Sequence, residues 1–321
     1  MSDGLPQSVR IREVGPRDGF QNEPEVIATD DKVALVDCLA RTGVRRLEVT
    51  SFVRADVIPQ LSDGPEVLQR IDPPAGVSLS VLIPNEKGLD KALEHRDRFH
   101  EVNCFLSASE THNRKNVNRS VEESLSGLER VLGRAREEGL HCEGIISVAF
   151  GCPYEGEVPA ERVFAIARRL RDAGAQEIGF GDTTGMANPL QVRRFFERAR
   201  EELAGGAGGG AGGDAGGGAG VELTAHFHNT RGQGLANVLA ALEGGCTSFE
   251  SSFGELGGCP VPKGATGNIA TEDLVSMLHE MGIETGISLE KAVDCARRAQ
   301  QVLGRPLGSH TLVAGPVDWH R

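Results

Sequence analysis

The sequence predicts an α/β fold, a (β/α)8 TIM barrel with extra C-terminal helices closing it, over residues 9–303. Three observations carry that prediction. Short apolar runs alternate with segments of helical period, the pattern of a parallel sheet covered by crossover helices. The strand-like runs number eight, which favours a closed barrel over an open, doubly wound sheet. The length of 321 residues suggests roughly two domains of about 150 residues, yet it also suits one barrel of about 250 residues with extensions.

Residues 1–8 read as an N-terminal tail, and strand one follows at 9–14. A helix at 30–42 leads to strand two at 44–50, then a short helix at 64–71 leads to strand three at 77–83. The next helix is 86–94 and strand four is 99–106. A long helix spans 121–138, opened by Ser120 and Glu123 at capping-box spacing. Strand five is 142–150, and the helix at 160–173 stops at Gly174. Strand six at 177–181, a helix at 190–203, strand seven at 221–227, a helix at 232–244 and strand eight at 247–252 complete the set. Helices at 272–281 and 289–302 close the barrel, leaving 304–321 as a tail. One segment breaks the rhythm: 204–220 is Gly or Ala throughout except for Asp214 and reads as a flexible loop before strand seven. It lacks the Gly-x-Gly-x-x-Gly or Lys-Ser/Thr context of a phosphate cradle.

Composition narrows the partners. Hydrophobic content of 39% with 25% charged residues is that of a globular protein with a sizeable core. No apolar run approaches the roughly 18 residues of a membrane span. The first ten residues hold no apolar signal core, so a cytoplasmic protein is expected. The net charge of −12 argues against nucleic acid or an anionic membrane as the main partner. Seven cysteines, none in a Cys-x-x-Cys pair, suggest neither a disulfide framework nor a zinc site.

In such a barrel the active site lies at the C-terminal ends of the strands. Strand one runs into Gly15-Pro16-Arg17-Asp18-Gly19, strand two carries Glu48, and strand four leads to a basic loop, 112–119, with Arg114 and Lys115. Strand six ends in Gly181-Asp182-Thr183, and strand eight leads to Gly257-Gly258-Cys259-Pro260. Strand seven ends in His226-Phe227-His228, whose histidines share one face because side chains on a strand alternate. Two core or surface histidines account for the same letters. With Asp18 they form a two-imidazole, one-carboxylate set suited to Mg2+, Mn2+ or Fe2+ rather than to structural zinc. Taken alone, Asp18 is equally a turn residue beside Gly19, and Glu48 equally one half of an ion pair.

At these residues the chain resembles the 3-hydroxy-3-methylglutaryl-CoA lyase family, barrel metallolyases related to isopropylmalate synthases. The landmarks run from Glu13 to Glu23, from Glu48 to Gln60 and from Gly151 to Gly156. They continue with Gly181-Asp182-Thr183, the histidine pair, Leu256 to Pro260, and Gly267-Asn268 onward to Leu274. The resemblance implies Asp18, His226, His228 and Asn268 as ligands of a divalent cation, Mg2+ or Mn2+. It implies Arg17 facing a thioester oxygen, Glu48 and Asp182 in support, Cys259 as a proton donor or acceptor on a loop, and Gln21 among the substrate contacts. The implied reaction is cleavage of the C2–C3 bond of a 3-hydroxyacyl-CoA, first of all hydroxymethylglutaryl-CoA. Arg114 and Lys115 can meet the phosphates of the CoA, and a solvated charge cluster explains them equally well. A homodimer is the expected assembly.

The chain departs from the family at Pro24, Asn229, Glu250, Phe253-Gly254-Glu255 and residues 261–263, changes that read as touching the substrate side more than the metal, while the acids at 250 and 255 can also hold neighbouring loops without bearing on specificity. A lyase for a related thioester such as citramalyl-CoA is therefore the alternative, followed by a Claisen-type synthase of the same superfamily. A binding scaffold should have lost part of the ligand set, and a non-haem iron oxygenase leaves Arg17 and Cys259 unexplained.

Overall fold

The computed structural model describes residues 4–204, 220–258 and 267–319. Within them the strands β1 (Arg10–Glu13), β2 (Arg46–Ser51), β3 (Ser78–Leu82), β4 (Glu101–Ser107), β5 (His141–Ser147), β6 (Glu177–Asp182), β7 (Glu222–Phe227) and β8 (Ser248–Ser251) pair in sequence order. All neighbours are parallel, and β8 pairs with β1 to close the barrel. Closure removes every sheet edge, so each strand is paired on both sides.

Helices α1 (Thr29–Ala40), α2 (Gly64–Arg70), α3 (Glu86–Leu93), α4 (Glu110–Val117), α5 (Val121–Glu137), α6 (Ala160–Asp172), α7 (Pro189–Leu203) and α8 (Gly234–Glu243) form the outer layer. The apolar core lies between this layer and the sheet: Val102, Cys104 and Leu106 of β4 are fully buried, and so are Val131 and Leu132 of α5. The capping box is present, with Ser120 Oγ accepting from Glu123 N–H and Glu123 Oε2 accepting from Ser120 N–H. The expected alternation of strands and helices is observed, with ends shifted by one to three residues. The Gly/Ala stretch joins α7 to β7, and its residues 205–219 lie outside the described ones.

Two segments differ in kind. The stretch after β4, expected as a basic loop, is helix α4. Its sequence has no apolar stripe to reveal it; the helix starts where Ser109 Oγ accepts from His112 N–H at 3.1 Å and ends at Asn118, in the left-handed region at φ 55°. The stretch expected as a C-terminal tail contains α11 (His310–Ala314). Asp273 accepts from the N–H groups of His310 and Thr311 at its start, and Leu312 is buried. Helices α9 (Thr271–Glu280) and α10 (Leu289–Leu303) precede it and close the barrel as expected.

The expectation that the cysteines form no disulfide is corrected: Cys38 of α1 is bonded to Cys295 of α10, Cα to Cα 5.9 Å. No local spacing announces a pair separated by 257 residues. It exists because α10 packs on α1 across the β8–β1 seam, where Ser288 N–H also donates to Thr42 O at 2.7 Å. A cross-link over a loop of that length stabilises by at most about 5 kcal/mol, and only where thiols are oxidised. Thermal unfolding with and without reductant should therefore differ by several degrees in the wild type, and Cys38→Ser should abolish the difference.

The interior of the barrel is charged, where apolar layers are the rule. Arg12, 1% exposed, lies on the axis. Its Nη1 donates to Glu250 Oε1 at 2.9 Å and to Glu143, and its Nη2 to Glu101 and Glu177, each at 3.0 Å. Arg46 donates to Glu101 at 2.6 Å and also to Glu177. Burial works against ionised Glu101, but Arg12 and Arg46 outweigh it and hold the carboxyl at about 2. Burial dominates at Glu143 and drives its carboxyl well above the usual range, Arg12 opposing. Such a plug persists because each buried charge is met by several partners, and removing one would strand the others at roughly 3–5 kcal/mol.

Candidate metal centre and active site

Above the plug, at the C-terminal ends of the strands, β7 delivers the two histidines. Phe227 between them is wholly buried in the core, so His226 and His228 turn to the mouth, ring centroids 5.2 Å apart. Asp18 comes from the turn after β1, residues Gly15–Gly19, wound as one wide helical turn in which Phe20 N–H reaches Gly15 O. Gly15 is required there, since a Cβ would stand 2.5 Å from the Phe253 ring. Asp18, His226 and His228 each offer a ligand atom, all within 4.8 Å of one another. Asn268 joins them: its backbone bridges to His228, and its Nδ2 donates to Asp18 Oδ2 at 2.7 Å.

Two atoms of this group are buried without a partner among the described residues, His228 Nδ1 and Asn268 Oδ1. Leaving such groups unpaired costs about 1–3 kcal/mol each. A carboxylate, two imidazoles and an amide oxygen form a donor set that fits a divalent cation, and the stranded Asn268 oxygen is the part that hydrogen bonding within the protein leaves unexplained. Burial, then the neighbouring His226, lowers His228 to about 3, which keeps its ring neutral. At His226 burial acts downward but the carboxylate of Glu250, 2.8 Å from Nδ1, prevails and raises it. Burial also opposes ionisation of Asp18, and Arg17 overrides it, so Asp18 stays charged.

Arg17 is 7% exposed and gripped from two sides, Nε by Glu48 at 2.6 Å and Nη1 by Asp18 at 2.6 Å. Glu48, fully buried, also accepts from Asn103 Nδ2 at 2.9 Å; burial raises its carboxyl while Arg17 opposes. Gln21 Nε2 donates to Asp18 Oδ1 at 2.8 Å. Asp182 ends β6 beside β7, its Oδ1 held by Met186 N–H and Ala187 N–H at 2.7 and 3.1 Å. Its Oδ2 is buried without a partner, and burial pushes the carboxyl up to about 6.

The structure thus brings together Arg17, Asp18, Gln21, Glu48, His226, His228 and Asn268, with Asp182 on the adjoining strand. Arg114 and Lys115 stand apart on α4, where Arg114 lies 3.7 Å from Glu110 and Lys115 Nζ lies 4.8 Å from the Tyr154 ring centroid. Cys259 lies outside the described residues. Gly257, two positions before it, adopts φ 96° and passes so close that a Cβ would meet Asn268 Nδ2 at 2.6 Å and Asp18 Oδ2 at 3.0 Å.

The departures are redistributed. Asn229 turns away from the ligands, donating to Glu255 Oε1 at 2.9 Å and accepting from Gly234 N–H at 3.3 Å. Glu250, expected on the substrate side, instead touches His226 of the candidate ligand set. Asn103 was not singled out, a polar residue at an inward position of a strand being the signal it carries, and Glu13 stood out only as the first residue of a motif.

Glu13 and Glu272 pin the turn that leads to the glycine loop. Glu13 accepts from Gly15 N–H, Phe253 N–H and Thr271 Oγ1, and Glu272 accepts from Gly254 N–H. Burial raises Glu13 to about 7 and Glu272 to about 8, against 4.5 in an unfolded chain. Between these limits the native state binds more protons, so stability falls as pH rises. One group contributes at most about 1.4 kcal/mol per pH unit. Urea midpoints should drop from pH 5 to pH 9, and Glu272→Gln should flatten that slope; an equally steep slope in the variant would overturn the assignment.

Comparison with known proteins agrees with this geometry. The family model HMGL-like matches residues 8–298. The hydroxymethylglutaryl-CoA lyase of Bacillus subtilis is 43% identical over 307 residues, 96% of this chain and 97% of the relative. The human cytoplasmic 3-hydroxy-3-methylglutaryl-CoA lyase is 40% identical over 291 residues, 91% of this chain and 74% of the relative. A solved structure of an HMG-CoA lyase from Acinetobacter baumannii, in complex with coenzyme A and 3-methylmalate, superposes with a TM-score of 0.88 at 38% identity, covering 98% of each chain.

Proposed function

Because the chain belongs to the HMGL-like family, we propose that it is a divalent-metal-dependent lyase converting hydroxymethylglutaryl-CoA to acetoacetate and acetyl-CoA. The observation that carries the reading is the convergence of Asp18, His226, His228 and the unpartnered Asn268 oxygen beside the clamped Arg17. These four residues would hold Mg2+ or Mn2+. Such an ion, when bound, lowers the pKa of an alcohol and grips a carboxylate.

The remaining work falls to the protein. A base at the mouth takes the C3 hydroxyl proton, and Asp182, whose carboxyl burial pushes up to about 6, supports the site. The C3–O electrons form the ketone, the C2–C3 bond breaks, and its electron pair passes into the thioester enolate. Arg17, its plane fixed by Glu48 and Asp18, stabilises the charge on the thioester oxygen. Cys259 delivers a proton to C2 and completes acetyl-CoA. Gln21 orients Asp18, and Arg114 and Lys115 receive the CoA phosphates. The protein acts in the cytoplasm as a homodimer in this reading, with Cys38 and Cys295 as thiols until oxidised.

The test is a panel of 3-hydroxyacyl-CoA thioesters offered to the Mn2+-loaded protein, with acetyl-CoA release measured. Cleavage of hydroxymethylglutaryl-CoA is expected. Cleavage of citramalyl-CoA alone would transfer the assignment to that substrate, and bond formation without cleavage would make the protein a synthase. No reaction with any thioester, metal bound, would sink the lyase reading.

A further inference from the structure

We infer that Glu250, anchored by Arg12, is a positioning residue that presents Nε2 of His226 to the metal. The inference rests on the functional reading above. Three observations carry it. First, Glu250 Oε2 lies 2.8 Å from His226 Nδ1, and a carboxylate, which only accepts, engages that nitrogen as the N–H side of the ring and leaves Nε2 as the side free to meet an ion. Second, Glu250 cannot swing away, because its other oxygen, Oε1, receives Arg12 Nη1 at 2.9 Å and the side chain is 2% exposed. Third, the backbone enforces the alignment: β7 pairs His226 with Glu250, and β8 pairs Glu250 with Arg12.

The chain of contacts continues downward. Arg12 is itself held by Glu101, Glu143 and Glu177 from three further strands. The ring orientation of one metal ligand is therefore set by a charged assembly reaching across the barrel. His228 has no such support, its Nδ1 being unpartnered, so the two imidazoles are not equivalent. His226 is held in place before any ion arrives, whereas His228 has its ring atoms fixed by packing alone.

The test combines a spectroscopic readout with metal affinity. In 15N-histidine-labelled wild-type protein without metal, at a pH high enough to leave the ring neutral, the His226 resonances, assigned by their loss in His226→Gln, should show the single proton on Nδ1 and Nε2 bare. Glu250→Gln keeps the size and an amide but removes the charge. It should raise the Mn2+ dissociation constant, read from the EPR signal of free Mn2+, by roughly 10–100-fold. Glu250→Asp should recover part of that loss, and the circular dichroism spectrum should be unchanged. A purely structural role would leave tautomer and affinity untouched in any variant that folds. A neutral wild-type His226 ring carrying its one proton on Nε2 would overturn the inference without recourse to a variant. Unchanged Mn2+ affinity in folded Glu250→Gln would also overturn it while leaving the lyase reading intact. Failure of the wild type itself to bind Mn2+ would remove both.

Discussion

Replacing His228 with alanine is expected to give a folded barrel that binds Mn2+ at least 100-fold more weakly and cleaves thioester on the order of 10^3-fold more slowly. The ring is buried, neutral and without a hydrogen-bond partner at Nδ1, so its deletion breaks no contact that the apoprotein needs. It removes one of two nitrogen ligands, and water replacing it cannot match an imidazole fixed on a strand. The measurement is a Mn2+ titration followed by EPR alongside thermal unfolding. A variant with wild-type Mn2+ affinity would strike His228 from the ligand set. Loss of folding would contradict the claim that the ring serves the metal rather than the core.

Arg17→Gln is expected to act differently, lowering kcat by roughly 10^2- to 10^3-fold while Mn2+ stays bound. The guanidinium bonds directly to Asp18, and Glu48 and Asp18 hold its plane. Its removal also strands Glu48, which is fully buried and already raised, so a proton should settle there and stability should fall by about 3–5 kcal/mol. The double variant Arg17→Gln, Glu48→Gln should regain most of that stability and none of the rate, which separates the two roles. Cys259→Ala should likewise keep metal and lose turnover, but with no stability cost from an orphaned carboxylate. Equal kcat in Arg17→Gln and wild type would exclude Arg17 from transition-state stabilisation.

The barrel and the convergence of Asp18, His226, His228 and Asn268 were legible because both rest on local periodicity or on long motifs. The His226/His228 pair declares itself by the two-residue repeat of a strand, and Asp18 and Asn268 follow from motifs flanking strand ends. Glu250 was visible as an unusual letter but was placed on the wrong side. Its partner His226 is 24 residues away, and only the β7–β8 register sets the two side by side. Helix α4 was hidden because its eight residues, ETHNRKNV, carry a cap but no apolar face. The Cys38–Cys295 bond was hidden for the opposite reason: nothing local marks it, and it depends on α10 returning to α1.

The plug inside the barrel divides its charges by position along the chain. Arg12 and Arg46 come from β1 and β2, while Glu143, Glu177 and Glu250 come from β5, β6 and β8; Glu101 of β4 is the exception. A protein cut between α5 and β5 would yield one half with surplus positive charge inside and another with surplus negative charge. Neither piece has a counterpart for its own interior, yet each is the counterpart of the other. Such halves should stay unfolded apart and recover the native circular dichroism spectrum when mixed, selecting one another from a mixture. The same division means that duplicating either half would bring like charges together at the axis, so this barrel cannot be rebuilt from two copies of one of its halves.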